Sequence, residues 1–466
     1  MSHRFYYQKD GTWVGDIMAC SGKDEIYMYY QCDKRIPVPF PNCPPFGWSL
    51  AKTKDLINFE DFGEVLHTGE RLGHTEWLYA GTVIYSKEQY WAYYTSHVRQ
   101  AVGTDQIAEL ILIANSPDGI HWTKHPEWEI PKPEGYEPGF LRDPGVFYNE
   151  EDGLWWMITP QRHAEGPFNR RGCMTYYTSS DLMHWEFQGD LWAPDMYYMH
   201  EMADLFKIGG WYYLLFSEYS DGRRTRYRMS KSLSGPWVAP KDDCFEGRCL
   251  YAARTIEFEG VRYLFGWNPT RSGDDLSEWV WGGTAVVHEL RQKTDGTLSV
   301  HLPTLQDSRF VKSSKTLPSQ FTLNRIDGCD EIVLLKDTGD FYRLDLDVSF
   351  SEGTFAFGVK MYDNPVRDCG YAYHFMPGKK TVVFDKLPNY PWFLCQNRDL
   401  ERPVELVPGQ PHHITVIVDD DICMLYVDGV ALGSRMTEKP GCELKLYVHG
   451  GQLQVKSLCF YDQLNK

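Results

Sequence analysis

One turn signature recurs at a fixed interval along this chain. Asp55-Leu-Ile-Asn-Phe59, Asp118-Gly-Ile-His-Trp122 and Asp181-Leu-Met-His-Trp185 each begin 63 residues after the last. A looser copy follows at Ser232–Trp237, and Thr294–Thr297 closes a fifth unit. Aromatic and aliphatic runs bounded by turn residues keep step with it: Glu25–Cys32, Gln89–Ser96, Leu154–Gln161, Trp211–Tyr219 and Val261–Asn268. Such runs suit strands buried on both faces. A shorter strand is expected before each, at Gly15–Cys20, Leu78–Ser86, Leu141–Asn149, His200–Ile208 and Leu250–Phe258. Units of short strands at a fixed period cannot bury their faces alone and stack around an axis. The expected fold is all-β, with a five-bladed β-propeller over residues 1–305.

Periodicity lapses over residues 306–319, which reads as a linker. Clean alternation then resumes, as in Leu344–Phe350, and Asp428-Gly429 is a hairpin turn. Residues 320–466 are read as a β-sandwich of lectin-like type. Its acidic turn Asp419–Asp421 lacks the alternating ligands and distal Glu of a calcium loop and reads as a solvated turn.

The net charge of −17 argues against nucleic acid and anionic membrane as partners. The chain has no apolar run long enough to span a bilayer and no apolar stretch at its start. The twelve cysteines show no paired spacing, so they are read as reduced thiols in a cytoplasmic protein. Neither ligand spacing nor a phosphate loop or dinucleotide fingerprint is present, so no metal and no cofactor are inferred. The 16 Trp and 30 Tyr fit blades packed on bulky rings, with a few rings left to line a sugar cleft.

Three acidic residues open inner strands: Asp16 in blade one, Asp143 in blade three and Glu201 in blade four. Any one of them alone reads as a solvated charge. Three at the heads of strands around one axis read as a group that meets in the central funnel. Glycosidic cleavage needs two carboxyls across the sugar, one protonated to donate and one ionised as nucleophile or base. Arg142, if folded onto Asp143, would keep it ionised, and that charge would raise the pKa of Glu201 to suit an acid. Asp16 is left as nucleophile, and Asp204 is read as a structural acceptor. Strand alternation turns His200 away from Glu201, into core or onto the surface.

At these residues the chain resembles glycoside hydrolase family 32, the β-fructofuranosidases, over essentially its full length. Trp13-Val-Gly-Asp-Ile-Met-Ala19 is similar to the opening motif Trp-Met-Asn-Asp-Pro-Asn-Gly. Tyr29-Tyr-Gln31, Trp48 and Thr53–Phe59 resemble the strand end and turn that follow it. Tyr79-Ala-Gly-Thr82 resembles Trp-Ser-Gly-Ser, Arg142-Asp-Pro144 matches Arg-Asp-Pro, and Glu201–Phe206 is similar to Glu-Cys-Pro-Asp-Leu-Phe. The resemblance implies a propeller followed by a sandwich, with Asp16 as nucleophile, Asp143 as transition-state stabiliser and Glu201 as acid/base. The chain departs from the motifs at Gly15 for Asn, Ile17 for Pro, Met202 for Cys, and Cys249–Ala252 for Asp-Phe-Tyr-Ala. Each lost amide or carboxylate removes a bond to a sugar hydroxyl.

The expected function is therefore hydrolysis of a terminal furanoside, β-fructofuranoside first, with retention. The alternatives are an inverting arabinofuranosidase- or xylosidase-like hydrolase with the same trio, or a decayed carbohydrate-binding protein. Gln31, Trp48, Tyr79, Arg142, Tyr251, Arg254 and Trp281 are the expected substrate contacts, and Arg142 and Arg254 are candidates for meeting an anionic sugar. The stiff Pro37–Pro45 loop is read as a wall of the cleft or a spacer. The expected partner is a small carbohydrate, with homo-oligomerisation through the sandwich left open.

Overall fold

A computed structural model describes residues 3–219, 223–388 and 399–465. Every blade of the propeller is an antiparallel meander running outward from the axis. The inner strands are Trp13–Ser21, Trp77–Ser86, Gly145–Asn149, His200–Ile208 and Tyr251–Phe258. Blades two and three each form a sheet of four strands. Blades five and one join edge to edge through the pairing of Val14 with Gly283, so the N-terminal strand closes the ring against the last blade. Blade four has three strands, its outer edge met by two isolated bridges, Arg226 with Cys244 and Met229 with Val238.

In blades one to three the repeated Asp closes the turn between the third and fourth strands. In blade two the Asp118 carboxylate accepts the N–H groups of Ile120 and His121, at 2.9 and 2.8 Å. Its second oxygen meets His121 Nδ1 at 2.7 Å, and Ser116 Oγ accepts the N–H of Gly119 at 2.9 Å. Asp181 with Ser179 and Asp55 with Thr53 repeat the arrangement. The aromatic residue that ends the signature packs inward; Trp185 is buried beside Tyr93 of the preceding blade. Side-chain oxygens satisfying turn amides explain why Ser/Thr-x-Asp recurs.

Beyond the ring, one four-residue helical turn, Thr304–Asp307, precedes strand Phe310–Lys312. That strand lies inside the stretch read as a linker and pairs with the sandwich strand Glu443–Leu464. The 22-residue strand Glu443–Leu464 organises the second domain. Its first half pairs with Ala356–Asn364, its second with Phe341–Phe350, and Phe321–Leu335 runs along its other side. The sheet folds at Gly450-Gly451, where a Cβ on Gly451 would stand 2.3 Å from Thr354 Oγ1. The two halves thereby form facing layers over a core that includes Leu344, Phe357, Val416 and Leu446.

A second core crosses the boundary, with Phe206, Tyr213 and Leu264 of the propeller meeting Phe341, Ile417 and Met424 of the sandwich. The acidic turn, read from sequence as solvated, is a clamp. Asp419 is buried and accepts the N–H groups of Arg4, Phe5 and Tyr6, while Arg435 holds Asp421 through two contacts of 2.7 and 2.8 Å. The alternation correctly marks a turn, but it cannot show that the chain's start folds back onto it. The eleven described cysteines are all free, and Cys395 lies outside the described residues. Among the described residues no helix is long and apolar enough to cross a membrane.

Candidate active site

The inner strands change direction where they reach the mouth of the ring. In blades one, two, four and five the register slips by one residue, between Val14 and Ile17, Tyr79 and Gly81, Glu201 and Asp204, and Tyr251 and Arg254. In blade three the strand is preceded by Asp143 at φ 48°, matched by Met202 and Ala252 at 54° in blades four and five. Left-handed backbone at non-glycine residues is costly and is kept where the surroundings fix it. A bulge bends the strand and re-aims its side chains, and here it turns them into the funnel.

These bulges place the acidic trio on three different steps rather than in register. Glu201 is the last paired residue before the bulge, Asp143 is itself the left-handed residue, and Asp16 lies within the bulge just before pairing resumes at Ile17. All three nonetheless line one cavity of about 500 Å³. Gln31, Tyr79, Arg142, Tyr251 and Trp281 line it too, together with Phe40, Pro41, His97, Trp267, Trp279, Arg223 and Arg248. The Pro-rich loop is therefore a wall of the cleft through Phe40 and Pro41.

Glu201 is held from two sides: the Tyr251 hydroxyl donates to Oε2 at 2.7 Å and an Arg142 guanidinium nitrogen stands 3.4 Å from Oε1. Arg142 does not fold onto Asp143. It forks onto buried Glu109 at 2.6 and 2.9 Å, and His97 Nδ1 meets the same carboxylate at 3.1 Å. Tyr79 stacks on the His97 ring, with centroids 4.4 Å apart. Asp143 accepts the Met202 N–H at 3.1 Å and donates its own N–H to Thr95 Oγ1 at 2.9 Å. Asp16 accepts the Trp267 indole N–H at 3.0 Å.

Burial is the largest influence on all three carboxyls and opposes ionisation. It lifts Asp16 to about 8, with the charges of Asp143 and Glu201 adding to the rise against the Trp267 N–H and Arg254. Glu201 rises to about 7, first by burial and then by Asp143, offset by Arg142 and the Tyr251 hydroxyl. Asp143 is raised by burial and drawn back by the charges of Arg142 and Arg254. The pocket thus retains protons near neutrality and can hold one carboxyl as an acid beside another as a base.

Two expected contacts lie elsewhere. Trp48 has 0% exposure; it packs in the core between blades one and two, and its indole N–H supports the Tyr79 carbonyl at 3.1 Å. Arg254 is 5% exposed and spends its guanidinium on the backbone carbonyls of Gly81, Asp143 and Pro144. It ties blades two, three and five together and is not among the residues that line the cavity. His200 is fully buried against Trp192, Tyr197 and Phe216, and burial holds its pKa down at about 3. Asp204 accepts the N–H and hydroxyl of Thr255, at 2.8 and 2.7 Å.

Sequence reasoning missed Glu109, His97, Trp267 and the mouth residues Arg223 and Arg248. Glu109 carried a signal, since it heads the apolar strand Glu109–Ser116, much as Glu201 stands second in its own strand. Gln31 donates to the Leu78 carbonyl at 2.9 Å and leaves its buried Oε1 without a protein partner. An acceptor of that kind in a cavity wall suits a ligand hydroxyl.

Residues 7–301 match the family model described as "Glycosyl hydrolases family 32 N-terminal domain". A sucrose-6-phosphate hydrolase of Escherichia coli is 25% identical over 437 residues, covering 87% of this chain and 84% of its own length. An exo-inulinase structure from Aspergillus awamori superposes with TM-score 0.78 at 17% identity, covering 99% of this chain and 98% of that one. The structure of a sucrose-6-phosphate hydrolase from Lactobacillus gasseri gives 0.76 at 18% identity, covering 97% and 93%.

Proposed function

This chain belongs to glycosyl hydrolase family 32 and is a glycoside hydrolase; on that footing we propose that it cleaves a terminal β-fructofuranoside by double displacement, with retention of configuration. The observation that carries this reading is the convergence of Asp16, Asp143 and Glu201 on one cavity, with proton-holding carboxyls at its floor.

In the first step an Asp16 oxygen bonds to the anomeric carbon as the bond to the leaving oxygen breaks, and Glu201 passes its proton to that oxygen. In the second, Glu201 as carboxylate takes a proton from water, the water oxygen bonds to the anomeric carbon, and the Asp16 ester is released. Asp143 accepts sugar hydroxyls and steadies the positive charge that develops on the ring. Arg142 and Tyr251 set the position and acidity of Glu201. Burial and the charges of Asp143 and Glu201 hold Asp16 above the usual carboxylate range. A cation developing on the sugar favours the charged form of Asp16, so attack and ionisation reinforce each other.

Arg223 and Arg248 at the mouth favour a leaving group that carries an anion, as in the sucrose 6-phosphate of the relatives' names. The kcat/KM for sucrose 6-phosphate is then at least about tenfold that for sucrose, and the ratio shrinks as salt is added. Equal values assign the enzyme to uncharged fructosides. The mechanism is tested by the product of transfer to methanol. Methyl β-fructofuranoside supports the double displacement, and hydrolysis with no product but the inverted anomer overturns it.

A further inference from the structure

We propose that Gly15 and Trp281 form one specificity device beside the Asp16 carboxyl, giving the sugar a carbon surface where a side chain at position 15 would offer a hydrogen bond. The inference rests on the fructosidase reading above. A Cβ on Gly15 would lie 2.0 Å from Cη2 and 2.4 Å from Cζ2 of Trp281, so the benzo edge of the indole fills the room of any side chain there. Trp281 is not free to yield. Phe40 packs on it at 4.4 Å and Trp267 at 5.7 Å, and its carbonyl accepts from Arg35 at 3.1 Å. Trp267 in turn gives its indole N–H to Asp16, so it presents only carbon to the cavity beside Trp281.

Phe40, Trp281 and Trp267 pack in a row along the cavity, with Tyr251 beside Trp267, and Arg142, Asp143 and Glu201 supply polar groups to the same lining. Asp16 stands against this row through the bond it accepts from Trp267, and the Oε1 of Gln31 is a further acceptor in the lining. A furanose hydrogen-bonds along one edge and lays its C–H groups on rings along the other. Sites that hydrogen-bond a hydroxyl reject the deoxy analogue by about 10⁴-fold or more, whereas apolar walls discriminate by only about 10–200-fold. The enzyme therefore tolerates loss of the one sugar hydroxyl that faces Trp281, and accepts furanosides deoxygenated or altered at that carbon.

The test is kcat/KM for a fructoside and its monodeoxy series, with the wild type, Gly15→Asn, Trp281→Ala and the double variant. At one ring position the wild type loses about tenfold or less on deoxygenation. Gly15→Asn alone is crippled on every substrate, and adding Trp281→Ala restores turnover and sharpens discrimination at that same position. Wild-type losses of about 10⁴-fold at every hydroxyl overturn the inference, and so does a Gly15→Asn enzyme as active as the wild type. If the wild type turns over no fructoside, the fructosidase reading fails instead. Thermal melting then decides the pairing: Gly15→Asn lowers Tm and Trp281→Ala in the same chain recovers it, whereas independent effects overturn it.

Discussion

Glu201 shows how much one residue's neighbours decide. Its Tyr251 hydroxyl and Arg142 partner favour the carboxylate, while burial and Asp143 favour the acid. In the proposed mechanism the productive state of the Asp16–Glu201 pair carries one proton, so kcat/KM is expected to trace a bell around pH 7–8, well above the ordinary carboxylate range near 4. Tyr251→Phe removes a bond to the carboxylate form and moves the bell to higher pH; an unmoved profile contradicts this placing of the proton. At this scale the sequence is readable for charge and unreadable for aim. A carboxyl at the head of an apolar strand announces itself. Trp48 and Arg254 are of the same residue types as the cavity-lining Trp281 and Arg142, yet both are buried and bonded to backbone carbonyls. Trp281 lies in the unpaired slip of its strand and lines the cavity, whereas Trp48 is paired on both sides and lies in the core, and residue type does not encode that.

The blade's recurring turn is the element most legible beforehand, because its physics is local. Ser/Thr-x-Asp satisfies turn amides within five residues of chain, so the signature can repeat without reference to partners. Asp118→Ala leaves two amides to solvent and costs on the order of 1 kcal/mol, measured as a drop in urea midpoint. The hydrogen bonds hold the folded-state pKa of Asp118 below its unfolded value. This contribution is therefore complete above the unfolded pKa and is lost as pH falls through the folded one. A variant whose midpoint equals the wild type's at pH 7 contradicts the role. The bulges are the opposite case. Slipped register and left-handed Asp143, Met202 and Ala252 arise from neighbouring blades crowding the axis, which no short window of sequence displays.

Across the whole molecule, propeller and sandwich share buried side chains, and Asp419 clamps the first strand's approach to the far domain. Because the first strand also closes the ring against blade five, the ring and the sandwich depend on each other. Calorimetry is expected to record one cooperative transition, with calorimetric and van't Hoff enthalpies in agreement. Asp419→Ala lowers its midpoint, since three buried or half-buried amides lose their acceptor, at about 1–3 kcal/mol for each that stays unpaired. Two well-separated transitions contradict the interdependence. Here the sequence tells of two β architectures and a lapse between them. It does not tell of their contact, because the residues of that shared core lie far apart along the chain and carry no common pattern.

The central claim is that Asp16 becomes covalently bonded to the sugar, and mass spectrometry of a trapped intermediate tests it most directly. Glu201→Gln enzyme is given an aryl fructoside, whose good leaving group departs without acid help while release of the ester lacks its base. The account predicts a peptide carrying one added fructosyl group on Asp16, absent when Asp16 is also changed to Asn. A fructosyl group found on any other residue would contradict it, as would a Glu201→Gln enzyme that releases the aryl alcohol from fructoside without ever holding the sugar.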